Sequence, residues 1–328
     1  MKYLSKSNQL PVISQLLAST RYLFWLLAVG VLLCTASCSD TEDASAVLNI
    51  DTTLGQAVFA KPEVAASLLT QALKDNDENL TGQLLGDDYK VVLPFDSIKE
   101  EDVTNYLRGW DTFNSLVPLG ENKVLIAIGE SEWTLPIPIT KGPSGWYFDI
   151  DEGLERMRIR RIGRNELSTI QAVLAYYDAQ MEYAQQDRNG NGFLEYAQKL
   201  ISTPGTTDGL FWENEEGDTV SPLGPLMADD TPGGGYHGYH YRILHSQGAS
   251  AQGGAYSYLL GDNMRAGFAL VAWPDEYGES GVMSFIVSHS GIVFEQNLGP
   301  DGTEVAKAMN SYNPDENWIP AKEVGGNN

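Results

Sequence analysis

The sequence predicts an α+β protein in which helices come first, a curled antiparallel sheet follows, and a second β-rich region closes the chain. Three observations lead there. Apolar residues at spacings of three and four occupy 62–85 and 152–201. Short β-branched and aromatic runs bounded by turn residues occupy 90–150 and 239–297. Between the last helical stretch and the second β region, Pro and Gly recur among acidic residues from 203 to 235. Such order describes segregated helices and antiparallel strands.

Helix 1 is expected from Pro62, with Val64, Leu68 and Leu69 on one face and Ala65 and Ala72 beside them. A shorter helix should run from Asp75 to Leu85 and close at Gly86. Strands are expected at Lys90–Leu93, Lys123–Gly129, Glu132–Ile139 and Gly145–Ile150, with turns at Asn122 and Gly142–Gly145. Residues 56–150 thus form an α+β domain, and their order resembles the cone-shaped nuclear-transport-factor and cystatin type of fold. Two helices, Glu152–Ile162 and Asn165–Gln186, are expected on either side of Gly163. The second carries a stripe of Leu167, Ile170, Val173, Leu174, Tyr177 and Met181. With a third helix at Leu194–Ile201 they make a helical connector, 151–202. A long loop, 203–235, leads to an antiparallel β-rich domain, 236–318. Its strands are expected at Tyr239–His245, Ala255–Gly261, Ala266–Trp273, Gly281–Ser288 and Ile292–Asn297, with a hairpin at Ser290-Gly291 and a terminal helix from Thr303 to Ser311. Residues 319–328 read as a disordered tail.

The first 37 residues carry Lys2, Lys6 and Arg21 and no acid, then 13 apolar residues from Tyr22 to Cys34. A membrane span needs about 20, so this pattern reads as a secretory signal peptide. Ala36 and Ser37 before Cys38 resemble a lipobox, although Thr35 replaces the usual bulky aliphatic residue. Cys38 is therefore the expected lipid attachment site, with cleavage near Ala36 and a free thiol as the bland alternative. Residues 38–55 then read as a flexible tether. The expectation is an exported protein, lipid-anchored in the cell envelope on the periplasmic face; Ser39 permits outer-membrane sorting if the host has an outer membrane, and the choice between inner and outer membrane stays open.

The 328 residues hold 21 basic and 44 acidic side chains, a net charge of −23. That surface repels nucleic acid, which is excluded as a partner. Cys34 and Cys38 are the only cysteines, so stability rests on core burial rather than an internal disulfide.

One segment has the spacing of a metal loop: Asp187-Arg-Asn-Gly-Asn-Gly-Phe-Leu-Glu-Tyr-Ala-Gln198. Asp187, Asn189, Asn191 and the Phe193 carbonyl occupy positions 1, 3, 5 and 7 of an EF-hand-like loop, and Gly192 occupies the sharp turn. Gln198 replaces the bidentate Glu at position 12; Glu195, at position 9, is the available substitute. Two readings stand here: a low-affinity structural Ca²⁺ site, or a metal-free polar turn capped by Asp187. Arg156, Arg160, Arg161 and Arg164 form a basic cluster, with 156, 160 and 164 on one helical stripe. It would either dock an anionic partner or pair with the chain's own carboxylates.

The histidines at 237, 240 and 245 do not converge on a strand, since 237 and 240 face opposite sides and 237 and 245 lie about 26 Å apart at about 3.3 Å per residue. Adjacent Ser288 and His289 point apart. Nucleophile-elbow, phosphate-loop and dinucleotide glycine motifs do not occur. The expected function is a non-enzymatic binding or scaffold module for an envelope protein or ligand. The alternative is an envelope hydrolase or other small-molecule enzyme, with its pocket in the α+β domain or under the 203–235 loop.

Several blocks together resemble a family of secreted bacterial proteins, DUF2950. They are Trp133-Thr-Leu-Pro-Ile-Pro138, Arg160-Arg-Ile-Gly-Arg-Asn-Glu-Leu167, the 187–198 segment, Ser221-Pro-Leu-Gly-Pro-Leu226, Tyr236-His-Gly-Tyr-His-Tyr-Arg-Ile-Leu244, Gly267-Phe-Ala-Leu-Val-Ala-Trp-Pro274 and Tyr277-Gly-Glu-Ser-Gly-Val-Met-Ser-Phe285. The resemblance brings no activity with it. Family members often carry Asp where Asn189 and Asn191 stand. The 281–294 strands also resemble the globular ends of pseudopilins, but no long N-terminal apolar helix accompanies them.

Overall fold

A computed structural model describes residues 48–86, 89–92, 100–213, 220–223 and 236–321. The expected signal peptide, Cys38, and most of the tether lie outside them.

The chain begins with a hairpin of β1 (Asn49–Asp51) and β2 (Gln56–Val58). Three residues assigned to the tether are therefore paired strand, because Asp51 accepts the Thr53 amide at 2.8 Å and turns the chain back on itself. Next come α1 (Pro62–Asp75), α2 (Glu78–Leu85), α3 (Tyr89–Val92) and α4 (Glu100–Thr112). Pro62 presets the first turn of α1, and Asn76, at φ 53°, ends it in the left-handed region. Asp77 caps α2 by accepting the Leu80 amide at 2.9 Å. Of the strand expected at Lys90–Leu93, residues 90–92 belong instead to the single turn α3, and Leu93 lies outside the described residues. Four residues are too few to define a period, and the Tyr89 amide donates back to the Gly86 carbonyl.

An open antiparallel sheet follows, with β3 (Asn114–Pro118), β4 (Lys123–Ile128), β5 (Trp133–Thr134), β6 (Ile139–Gly142) and β7 (Gly145–Phe148). Its order is β3-β4-β6-β7, with β5 on β4. The single strand expected at 132–139 is split by Pro136 and Pro138, which have no amide hydrogen to give a ladder. Ile126, Ile128, Leu135, Ile137, Ile139 and Phe148 pack against Ala65, Leu69, Ala72, Leu84 and Leu85, forming the first core.

One unbroken helix, α5 (Ile150–Tyr183), then runs for 34 residues. Two helices were expected, broken at Gly163. A lone glycine costs a helix about 1 kcal/mol relative to alanine and does not end it without a partner signal. Asp149 caps the start, accepting the Glu152 amide at 3.1 Å. The buried face is also rotated from the expected stripe. Ile170 and Val173 are buried with Tyr176, Ala179 and Tyr183, while Leu167 and Met181 are exposed.

The expected third helix, Leu194–Ile201, does not form. Its backbone is committed elsewhere. Gln180, fully buried on α5, accepts the Ala197 amide and donates to the Ala197 carbonyl, both at 2.8 Å. Tyr196 donates to Met264, and the backbone at 199, 200 and 202 pairs with 210 and 211. A helix would need those same groups for itself.

The second region comprises β8 (Tyr239–Leu244), β9 (Ser246–Gln247), β10 (Tyr256–Ser257), β11 (Leu259–Leu260), β12 (Asn263–Met264), β13 (Ala269–Pro274), β14 (Ser284–Ser288), β15 (Val293–Gln296), α6 (Gly302–Ala308) and β16 (Ile319–Pro320). The main sheet, β16-β15-β14-β13-β8, is antiparallel throughout. The expected 288–293 hairpin is present between β14 and β15. Residues 319 and 320, expected in the disordered tail, pair with β15. β13 is buried along its whole length, and Val173 and Tyr176 of α5 join the same core as Phe268, Leu270, Ile286 and Val287. The protein is mixed α+β, with α5 contributing to both cores.

Candidate functional site

Segment 187–198 leaves α5 as a tight polar loop. Asp187 accepts three backbone amides: Gly190 at 2.8 Å and Asn191 at 3.1 Å on Oδ1, and Gly192 at 2.8 Å on Oδ2. Asn189 Oδ1 accepts the Asn191 amide, and Asn191 Oδ1 accepts the Phe193 amide at 2.9 Å. Gly192 holds φ +86°, a left-handed conformation that a β-carbon would strain. Glu195 lies beneath this loop and is only 6 % exposed. Its Oε1 accepts from the side-chain amides of both Asn189 and Asn191. Its Oε2 is buried, and no described residue donates to it.

Gln198 departs from the expected ligand set. Its amide turns away and donates to the Asp262 carbonyl at 2.6 Å, tying the loop to the β11–β12 turn. The Phe193 ring is half exposed and carries the Arg265 guanidinium 5.0 Å from its centroid.

A cavity of about 210 Å³ opens beside Glu195, walled by Tyr183, Asn189, Tyr196, Gln198, Lys199 and Asp208. Asp208 accepts from Lys199 Nζ at 2.6 Å, from the Thr203 amide at 2.7 Å, and from the Thr203 and Thr206 hydroxyls at 2.9 Å. Burial alone would raise its carboxyl, but these donors outweigh it and hold the group well below its ordinary 3.8. Tyr183 donates to the Thr207 carbonyl, and burial, assisted by the charges of Glu195 and Asp208, pushes its phenol up to about 12. Sequence reasoning missed Tyr183, Lys199 and Asp208. Tyr183 was legible as the last large residue on the α5 stripe, whereas Asp208 sits in a non-periodic loop that gives no local signal.

The arginine cluster is engaged largely by the protein itself. Arg160 donates to the Thr134 carbonyl and hydroxyl, each at 2.7 Å, and lies over the Trp133 ring. Burial first, then the charges of Arg156 and Arg164, hold its guanidinium below the ordinary value. Arg161 donates to the Glu279 carbonyl at 3.1 Å and its carboxylate at 2.6 Å, and Arg158 reaches the Gly278 carbonyl. Asn165 donates to Ser280, and Glu166 accepts the Val282 and Met283 amides at 2.9 and 3.0 Å. Together these contacts fasten the 276–283 turn to α5. Arg156 has a buried Nε that no described residue accepts from.

The other sequence candidates do not assemble into a catalytic pair. His240 bonds Asp275 at 2.7 Å and stacks on Trp273. Ser288 meets Ser290 at 3.0 Å, while His289 lies 3.4 Å from the Tyr256 hydroxyl. Among the described residues no three His, Cys, Asp or Glu side chains gather as metal ligands, and no helix is long and apolar enough to cross a membrane.

A family model described as "Protein of unknown function (DUF2950)" matches residues 56–321. No curated protein and no solved structure is significantly similar to the chain.

Proposed function

Because the chain belongs to the DUF2950 family, we propose that it works as a non-enzymatic binding or scaffold module of the cell envelope, held at a membrane by lipid on Cys38. The observation that carries this reading is α5, one helix whose flanks complete both hydrophobic cores. Its polar side chains also grip the 276–283 turn. A helix shared in this way couples the two cores, so that surfaces on either one keep a defined relation. That is what a presenting scaffold requires.

The anchor is supported by the basic, then apolar, then small-residue order before Cys38. Metabolic labelling with an alkyne fatty acid tests it. The full chain takes up label and sediments with membranes, and Cys38→Ser loses both. An unlabelled wild-type chain would overturn the anchor. For the module itself, the purified protein is assayed against ester, phosphate, glycoside and peptide substrates. Turnover abolished by Asp208→Asn would replace the scaffold reading with the hydrolase.

A further inference from the structure

We propose that the 187–195 loop is a Ca²⁺ site whose key ligand is Glu195, standing in from below the loop for the glutamate that position 198 lacks. The sequence alone left the loop undecided because Gln198 is a poor substitute for a bidentate carboxylate. The fold draws Gln198 toward the β11–β12 turn, where its side-chain nitrogen donates to the Asp262 carbonyl. In its place it brings up Glu195, which is nearly fully buried.

Two independent observations converge on Glu195. The first is the loop's oxygen set. Asp187, Asn189, Asn191 and Glu195 are linked into one cluster by the hydrogen bonds among them, and the loop turns through left-handed Gly190 and Gly192. The second is the orphan atom. Glu195 Oε2 is buried with no donor from any described residue, and the Glu195 residue borders the 210 Å³ cavity. A buried carboxylate oxygen without a donor is costly and calls for a cation, a proton or water. The remaining neighbours favour a cation. Asp187 already has its backbone donors, as the first ligand of a calcium loop does, and each Asn side-chain oxygen accepts only one backbone amide, which leaves a lone pair for a metal.

The chemistry selects Ca²⁺ over Mg²⁺. Two carboxylates, two carboxamides and the Phe193 carbonyl make an uneven, all-oxygen set completed by water, which suits the six to eight flexible contacts of Ca²⁺. Mg²⁺ demands near-ideal octahedral geometry and gives up its water reluctantly. Binding requires the Asn189 and Asn191 side chains to release Glu195 Oε1, while their oxygens keep the loop amides and offer the metal a second lone pair. With only two carboxylates, the dissociation constant falls at about 10⁻⁴ to 10⁻³ M, the range of extracellular modules.

The test uses the full chain stripped with chelator and titrated with CaCl₂ by calorimetry. A parallel Tb³⁺ luminescence titration is sensitised by Tyr183 and Tyr196, which line the same cavity. Wild type should show one saturable site, Ca²⁺ should displace Tb³⁺, and Mg²⁺ should compete at least tenfold less well. Glu195→Gln should weaken Ca²⁺ binding at least tenfold. Glu304→Gln, a change at an exposed helix carboxylate beside Lys307, should leave it unchanged. A gain-of-function variant covers the case in which Glu195→Gln does not fold. Asn189→Asp sets a third carboxylate against Glu195, so it should melt below wild type in chelator, recover in Ca²⁺, and bind about tenfold more tightly. No saturable Ca²⁺ binding by wild type overturns the proposal. So does binding that Glu195→Gln leaves intact, or an Asn189→Asp defect that Ca²⁺ does not relieve.

Discussion

Gly163→Ala should stabilise this protein, and Gly153→Ala, the same change ten residues earlier in the same helix, should destabilise it. Both glycines lie inside α5. A β-carbon built at Gly163 meets no atom within 4 Å, so the substitution adds no clash. What remains is the helix preference of alanine over glycine, about 0.8–1.0 kcal/mol, arising chiefly from the freedom that glycine retains in the unfolded chain. For a domain of this size about 1 kcal/mol corresponds to a rise in Tm of roughly 2–4 °C. At Gly153 the added carbon would lie 3.1 Å from Ile137 Cγ1 and 3.2 Å from the Ile137 α-carbon. The second of these is backbone and cannot swing aside, so overpacking of about 1–3 kcal/mol exceeds the helix gain. Urea unfolding followed by far-UV circular dichroism separates the two effects, because a pure stability change moves the midpoint and leaves the slope alone. A lower midpoint for Gly163→Ala would refute the reasoning, since the helix would then be broken there or its face covered.

Three further outcomes follow from the same geometry. Gln180→Leu strips partners from the Ala197 amide and carbonyl and from the Tyr176 hydroxyl, all in the second core. At about 1–3 kcal/mol per orphaned group, a loss of about 3 kcal/mol or more is expected in chemical denaturation, and a near-neutral result would show that water or rearrangement replaces the bonds. Asp208 has a depressed carboxyl pKa, so its contribution is full above the unfolded value and is lost as pH falls through the folded one. The stability gap between wild type and Asp208→Asn should therefore be constant near neutrality and shrink as pH drops below 3.8, and a gap that widens in acid would contradict the assigned donors. Arg161→Ala breaks an ion pair with Glu279 whose two side chains are each about half exposed; it should cost under about 1 kcal/mol and depend on salt, a larger, salt-independent loss pointing to packing instead.

How much was legible varies with how local the cause is. Caps and turn residues were readable where one residue acts on its near neighbours, as with Pro62 at the start of α1, Gly86 after α2 and Ser290-Gly291 between β14 and β15. Helix α4 escaped notice although Val103, Tyr106, Leu107 and Trp110 repeat at helical spacing. Its acidic start and low apolar content disguised a helix that buries little beyond Tyr106, whose hydroxyl meets Thr70 at 3.0 Å. The 194–201 error had a different origin. Those residues suit a helix, but Gln180 takes the Ala197 amide and the 210–211 amides take the carbonyls of 199 and 200. For the candidate site, the loop residues were visible by spacing alone, and the arginine stripe by its four-residue period. The partners Thr134, Gly278 and Glu279 were not, being 26 to 120 residues away in sequence.

By itself the sequence determined the α+β class, the main antiparallel strands, the acidic surface and the oxygen-rich character of 187–198, because each depends on composition or on periods of two and 3.6 residues. Tertiary structure alone decided that α5 runs unbroken past Gly163, that Leu194–Ile201 stays out of a helix, and that Glu195 rather than Gln198 faces the loop's ligands. The reason is physical: backbone donors, buried carboxylates and cavity walls are matched to partners across the fold, and a choice between partners far apart in the chain leaves no periodic trace in either of them.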